Sequence, residues 1–268
     1  MMRFNFDVWP KVGLPMFSIL LLSTFASAQQ KSMPPRTQDR PLESRIETME
    51  RAQRDEWQKP DEVVRALDLK PGEVVADVGA GSGYFTRRLA KVVAPLGKVY
   101  AVDVAPDILG YLKERADHEG LQNIVTIVSQ PTDPMLPVNS VDLVFFCDTT
   151  HHIDHRVEFY RKLAPAVNAH GRMAIIDYPP DSPHAPHKPE ELVPRSQVIS
   201  EAEQAGFKFV KDFRFLPYHY FLMFEKTSEG PVGAANGHGQ NPSSGLDVGE
   251  IEVEGLPIAV IPEIKFTS

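Results

Sequence analysis

Asp77-Val78-Gly79-Ala80-Gly81-Ser82-Gly83 places an acid two residues ahead of three alternate glycines. Glycine adopts backbone conformations and allows close approaches that a Cβ forbids, so such a turn can bring its N–H groups against a ligand. A helix starting just beyond adds N–H groups with no helical partner. A pyrophosphate calls for G-x-G-x-x-G. Here the third glycine falls one residue early, Tyr84 takes the sixth position, and Asp77 repels phosphate while attracting an ammonium or sulfonium. Asp103 stands 20 residues beyond Gly83, a carboxylate able to accept both hydroxyls of a ribose. The two acids suit an adenosine that carries a cationic amino acid better than a dinucleotide. A second group, Asp148-Thr149-Thr150-His151-His152-Ile153-Asp154-His155, brings imidazoles that titrate near neutral pH.

These groups need a scaffold, and the hydrophobic pattern supplies one. Val74 to Val78 reads as a strand buried on both faces, followed by a helix with Tyr84, Phe85, Leu89, Val92 and Val93 turned to a sheet. Lys98 to Val102 is a second strand, Ile124 to Val128 a third and Val141 to Cys147 a fourth, with a helix through Ile108 and Leu112 between the second and third. Arg156 to Val167 reads as a helix, Asn168-Ala169-His170-Gly171 as a turn, and Arg172 to Asp177 as the fifth strand. Pro179 to Pro194 holds six prolines and must be a long loop, a candidate lid with His184 and His187. A helix over Ser196 to Gln204 and a closing antiparallel hairpin, Phe207 to Phe215 and His219 to Glu225, complete the pattern. Ahead of all this, Leu42, Ile46, Met49 and Trp57 share one helical face, the mark of a leading helix in the extension 29–60, and Pro60-Asp61 opens the next. Strands alternating with helices imply an α/β fold.

On these motifs the chain resembles the class I S-adenosylmethionine-dependent methyltransferases, over roughly residues 61 to 226. The resemblance implies a Rossmann-like, seven-stranded, mostly parallel sheet with helices on both faces and an antiparallel last strand, in a domain spanning 61–227. It implies S-adenosyl-L-methionine as cofactor, held by Asp77 at its methionine end, by Gly79, Gly81 and Gly83 beneath it, by Asp103 at the ribose and by Val104 beside the adenine. The family usually carries an acid after the third strand; here Ser129-Gln130-Pro131-Thr132-Asp133 stands there, leaving Gln130, or Asp133 reaching back, for the adenine amino group. Asp148 and Thr149 fall near the sulfonium and the acceptor. The chain is similar to the small-molecule branch, including quinone-biosynthesis C-methyltransferases. The DNA enzymes' Asn/Asp-Pro-Pro-aromatic signature does not follow the fourth strand. A small-molecule acceptor is therefore the expected partner.

Three readings compete for the histidines. His151 and His155, at i,i+4 on a helix, could bind a metal with Asp148. His151 or His152 could deprotonate an acceptor, making His151, His152 and Asp148 the candidate catalytic set. Or the imidazoles only shape the pocket. No metal is expected at the site. The rival to catalysis is an exported, non-catalytic protein that binds S-adenosylmethionine or a nucleoside on the same fold.

Composition narrows the partners. The 268 residues are 42% hydrophobic, enough for one substantial domain. A net charge of −8 without a Lys/Arg cluster argues against nucleic acid. Arg3 and Lys11, an apolar stretch from Val12 to Phe25, and Ala26-Ser27-Ala28 read as a signal peptide over 1–28, cleaved after Ala28, for export to the periplasm or the extracellular space. The apolar stretch, about 14 residues, is shorter than the roughly 20 that span a bilayer. Without residues 1–28 the body keeps 26 basic and 35 acidic residues, a net of −9. Residues 228–268 read as a linker and tail, with a possible short strand at 251–261.

Overall fold

The computed structural model describes residues 40–227; the leader expected over 1–28 and the linker and tail over 228–268 lie outside the described residues. Each apolar run becomes a strand: β1 (Val74–Val78), β2 (Lys98–Asp103), β3 (Ile124–Val128), β4 (Val141–Cys147), β5 (Val167–Asp177), β6 (Phe207–Phe213) and β7 (Tyr220–Lys226). They form one sheet in the order β3-β2-β1-β4-β5-β7-β6. β1 through β5 pair in parallel, and β7 is antiparallel to both β5 and β6. The expected seven-stranded, Rossmann-like sheet with its antiparallel last strand is present.

Burial on both faces explains why the central strands β1 and β4 are almost continuously apolar. Leu143 and Phe145 of β4 join a core with Val63, Leu89, Leu109 and Leu112, while Val144 and Phe146 join another with Phe159, Tyr160, Val198 and Phe224. The first core lies under α3 (Pro60–Ala66), α4 (Thr86–Val93) and α5 (Pro106–His118), the second under α6 (Arg156–Leu163) and α7 (Arg195–Gln204). The order of the strands reverses between β1 and β4, so a crevice opens at the carboxyl ends of these strands. Among the described residues no helix is long and apolar enough to cross a membrane.

Two expectations need correction. The single leading helix is two, α1 (Leu42–Met49) and α2 (Arg54–Gln58). The break follows from Glu50, whose carboxylate accepts hydrogen bonds from Ser82 Oγ (2.6 Å) and from Arg87 (2.7 and 2.9 Å), tying the end of α1 to the glycine turn and redirecting α2. The turn expected at 168–171 lies within β5 as an excursion. Val141 pairs Val167 and Leu143 pairs Arg172, so two steps along β4 face five along β5. Asn168 Nδ2 holds the excursion by donating to Asp142 Oδ1 (2.6 Å).

Candidate functional site

The carboxyl ends of β1, β4 and β5 lie side by side, and each carries an acid within one residue of its end: Asp77, Asp148 and Asp177. Asp77 is buried beneath the glycine turn, where Thr86 Oγ1, in the first turn of α4, donates to its Oδ2 at 2.6 Å. Burial pushes the Asp77 carboxyl up to about 7; Asp103 adds to the rise, against the Thr86 hydrogen bond and Arg54. The turn is pinned to β2 through Gly79 N–H and Ala80 N–H, which both donate to the Val102 carbonyl at 2.8 and 3.0 Å. Gly79 has φ 77°, and a Cβ there would lie 2.2 Å from Thr149 Oγ1. The glycine lets β1 and the loop after β4 close on each other.

Asp148 follows β4 with φ 53°, a left-handed conformation that is costly for an aspartate. Its Oδ1 lies 3.0 Å from His219 Nε2 and its Oδ2 3.5 Å from an Arg54 guanidinium nitrogen. Burial pushes this carboxyl up, but His219, Arg54 and His151 outweigh it and hold it below the usual carboxylate range. His219 stacks on Trp57 at 5.5 Å and meets Tyr178 at 3.8 Å, giving this side of the site an aromatic wall.

The third acid, Asp177, ends β5 with no exposed surface. It accepts hydrogen bonds from the His151 backbone N–H (3.1 Å) and the Tyr178 N–H (2.8 Å), and its two oxygens lie 2.8 and 3.0 Å from His151 Nδ1. This places the proton of neutral His151 on Nδ1 and leaves Nε2 buried, with no hydrogen-bond partner among the described residues. Burial pushes the His151 imidazole down, and Asp177 more than reverses it, so its pKa is raised. Burial and the neighbouring His151 and His187 rings push His152 down to about 3, although the residue is exposed at the rim; it is a neutral imidazole.

A cavity of about 680 Å³ joins these groups. Of the candidate cofactor-binding and catalytic residues it is lined by Asp77, Gly79, Gly81, Asp148, His151 and His152, with His184 and His187 of the lid loop. Gly83, Asp103, Val104 and Gln130 do not line it. The close approach at Gly83 is to Leu112 of α5, 2.6 Å from where a Cβ would sit, and so serves packing rather than a ligand. Asp103 instead holds the turn, its Oδ2 accepting from Gly81 N–H at 2.9 Å and its Oδ1 from Ala105 N–H at 3.0 Å. α1 covers this side: Met49 packs over Gly81, and Arg45 pairs with Asp107 at the start of α5. Gln130 is exposed, its backbone paired with that of Asp133.

The i,i+4 histidine reading is overturned. Thr150–His152 is a single 3₁₀ turn, and His155, at φ 52°, precedes α6 and is exposed. His187, from the proline-rich loop, joins His151 and His152 instead. Arg54, Asp177 and His219 are lining or supporting residues that sequence reasoning did not assign, while His187 was placed on the candidate lid and Trp57 on the leading helix without a role in the site. Among the unassigned three, Asp177 carried a signal, its place at the carboxyl end of a parallel strand.

Residues 75–171 match the family model described as a methyltransferase domain. This stretch is similar to the methyltransferase domains that the family model describes. Its cofactor is S-adenosylmethionine. The domain's residues fit that group, since a buried acid, a glycine turn in left-handed conformation and an aromatic wall border one cavity. Over 69% of the chain the fold is similar to a SAM-dependent methyltransferase from Aquifex aeolicus, at 29% identity, 98% coverage of that chain and a TM-score of 0.65. Among curated relatives, a protein-L-isoaspartate O-methyltransferase from Aeropyrum pernix is 44% identical over 66 residues, 25% of each chain. A ubiquinone/menaquinone biosynthesis C-methyltransferase from Ectopseudomonas mendocina is 25% identical over 111 residues, 41% of this chain and 43% of its own. The chain thus spans a quarter to under half the length of these curated relatives.

Proposed function

We propose that this protein passes the methyl group of S-adenosylmethionine to a small-molecule acceptor. The observation that carries this reading is that Asp77 with its glycine turn and His151, backed by buried Asp177, open onto one cavity, in the size range of small-molecule sites. The cofactor supplies an electrophilic methyl on a sulfonium, and the chain has to bind, align and exclude water. Asp77 faces the cofactor's ammonium, and Gly79 and Gly81 let the methionine end lie close to the backbone. Asp148 and the Trp57, Tyr178 and His219 rings border the sulfonium side. His151 and His152 face the acceptor, with Asp177 orienting His151.

Asp103 takes the ribose and Val104 the adenine edge once α1 shifts off the turn, and Gln130 lies farther along the same edge. Asp103→Ala is expected to weaken cofactor binding by roughly 1.5–3 kcal/mol, the range for hydrogen bonds to a charged group. Calorimetry on the folded variant checks this, and unchanged affinity would break the ribose assignment.

Asp77 gives a pH signature. With its pKa raised to about 7, the carboxyl is mostly neutral at pH 6 and mostly ionised at pH 7.5, and only the ionised form attracts the cofactor's ammonium. The ionised fraction rises from about 9% to about 76%, so affinity is expected to increase about eightfold over that interval. Asp77→Asn should flatten the profile; a wild-type profile that is flat or falls with pH overturns the role.

The basic, apolar, Ala-x-Ala order of residues 1–28 supports export. Fractionation of cells expressing the full chain should place it outside the cytoplasm, shortened at the N-terminus. A full-length product confined to the cytoplasm sinks this part of the reading.

A further inference from the structure

We propose that His151, His152 and His187 bind one divalent transition-metal ion, zinc in the first instance. The site lies on the acceptor side of the same cavity. Its occupancy stands apart from the methyl-transfer reading, on which only the role of the ion rests.

One nitrogen from each of the three imidazoles lies within 4.8 Å of the other two, and the ring centroids are 4.0, 4.5 and 5.2 Å apart. Tetrahedral zinc with bonds of about 2.0–2.1 Å needs ligand nitrogens roughly 3.3 Å apart, a distance these rings reach by small side-chain rotations. Among the described residues no hydrogen bond joins any two of the three rings. Imidazoles gathered only for packing would be expected to pair N–H with lone pair; these converge without doing so, and a cation satisfies them.

The surrounding carboxylates strengthen the case. Asp177 takes His151 Nδ1 and leaves Nε2 buried and unpartnered, the arrangement in which a carboxylate orients a metal-bound histidine. Glu191 Oε2 lies 3.5 Å from His187 Nδ1, a second carboxylate behind a second ring. Asp148 is held by His219 and Arg54 and is not needed as a ligand.

The donor set selects the ion. Three neutral imidazoles suit zinc, copper, nickel or iron, whereas magnesium and calcium require oxygen. Three protein ligands leave a fourth position, the pattern of reactive rather than structural zinc, and here it faces the cavity that all three histidines line. An ion there would lower the pKa of a hydroxyl or thiol coordinated to it.

The test uses the untagged full-length chain, stripped with chelator and titrated with Zn²⁺ by calorimetry and with Co²⁺ by visible absorption. One ion per chain and the intense bands of tetrahedral Co²⁺ are expected. His187→Ala, on an irregular loop, should fold normally and weaken Zn²⁺ binding at least 100-fold. Asp177→Asn should weaken it 10- to 100-fold. His118→Gln, at an exposed position on α5, should leave it unchanged. Absence of binding, or an affinity that survives His187→Ala, overturns the site. A parallel titration with S-adenosylmethionine separates the two readings, because loss of metal with cofactor binding intact removes only the metal.

Discussion

Gly79→Ala is expected to destabilise the fold by about 2–5 kcal/mol and to remove measurable cofactor binding. Two costs add. A Cβ at φ 77° meets its own backbone, worth roughly 1–2 kcal/mol for an L-residue. The same Cβ falls 2.2–2.8 Å from three Thr149 side-chain atoms, an overlap that costs typically 1–3 kcal/mol to relieve. Relief can come only by pushing the loop after β4 away from β1, which separates Asp148 from Asp77. Gly120→Ala is the control, since Gly120 has φ 72° but nothing within 4 Å of its Cβ position, so only the first cost applies. Urea unfolding of both variants checks the difference. Equal losses of stability would mean that the contact with Thr149 is slack.

Asp177→Asn is expected to invert the polarity of the His151 ring. The carboxylate accepts from Nδ1–H while its Oδ2 takes the His151 N–H and its Oδ1 the Tyr178 N–H; an amide has one oxygen for these donors, and its NH₂, set against a backbone N–H, finds Nδ1 as the acceptor within reach. The proton then moves to Nε2, and the atom facing the cavity becomes a donor, fit neither to take a proton nor to bind an ion. ¹⁵N spectra of labelled histidine should show the change of tautomer. Turnover, once an acceptor is in hand, should fall by roughly 10²–10⁴, the usual contribution of positioned proton transfer, with little change in cofactor affinity. Asp177→Ala removes all the acceptors from a fully buried pair and should cost about 3–5 kcal/mol of stability. An unchanged tautomer in Asp177→Asn removes the positioning role.

Both variants act at sites whose visibility in the sequence differs. The glycine turn was legible because its cause is local: an apolar strand, an acid at its end and glycines where left-handed backbone is required all lie within one decapeptide. The strands were legible for the same reason, since β1 and β4 are buried on both faces and carry continuous apolar runs. Local reasoning failed at Glu50 and Asn168. One carboxylate bonded to Arg87, 37 residues away, ends α1 early, and one amide bonded to Asp142, 26 residues back, absorbs an expected turn into β5.

The sequence alone was sufficient for the α/β alternation, the acid and glycine turn, and the class of cofactor these suit, because each depends on neighbours along the chain. It was not sufficient for the side chains that meet across the sheet. Asp177 lies under His151 because β5 is hydrogen-bonded beside β4, and strand order is a property of the whole packed sheet. His187 completes the imidazole trio in place of His155 because a proline-rich loop folds back over the carboxyl edge, while a left-handed residue turns His155 away. α1 covers the Asp103 side through Arg45 and Glu50, contacts that no periodicity encodes. Spacing along the chain specifies which groups are present, and long-range packing specifies which of them share a cavity.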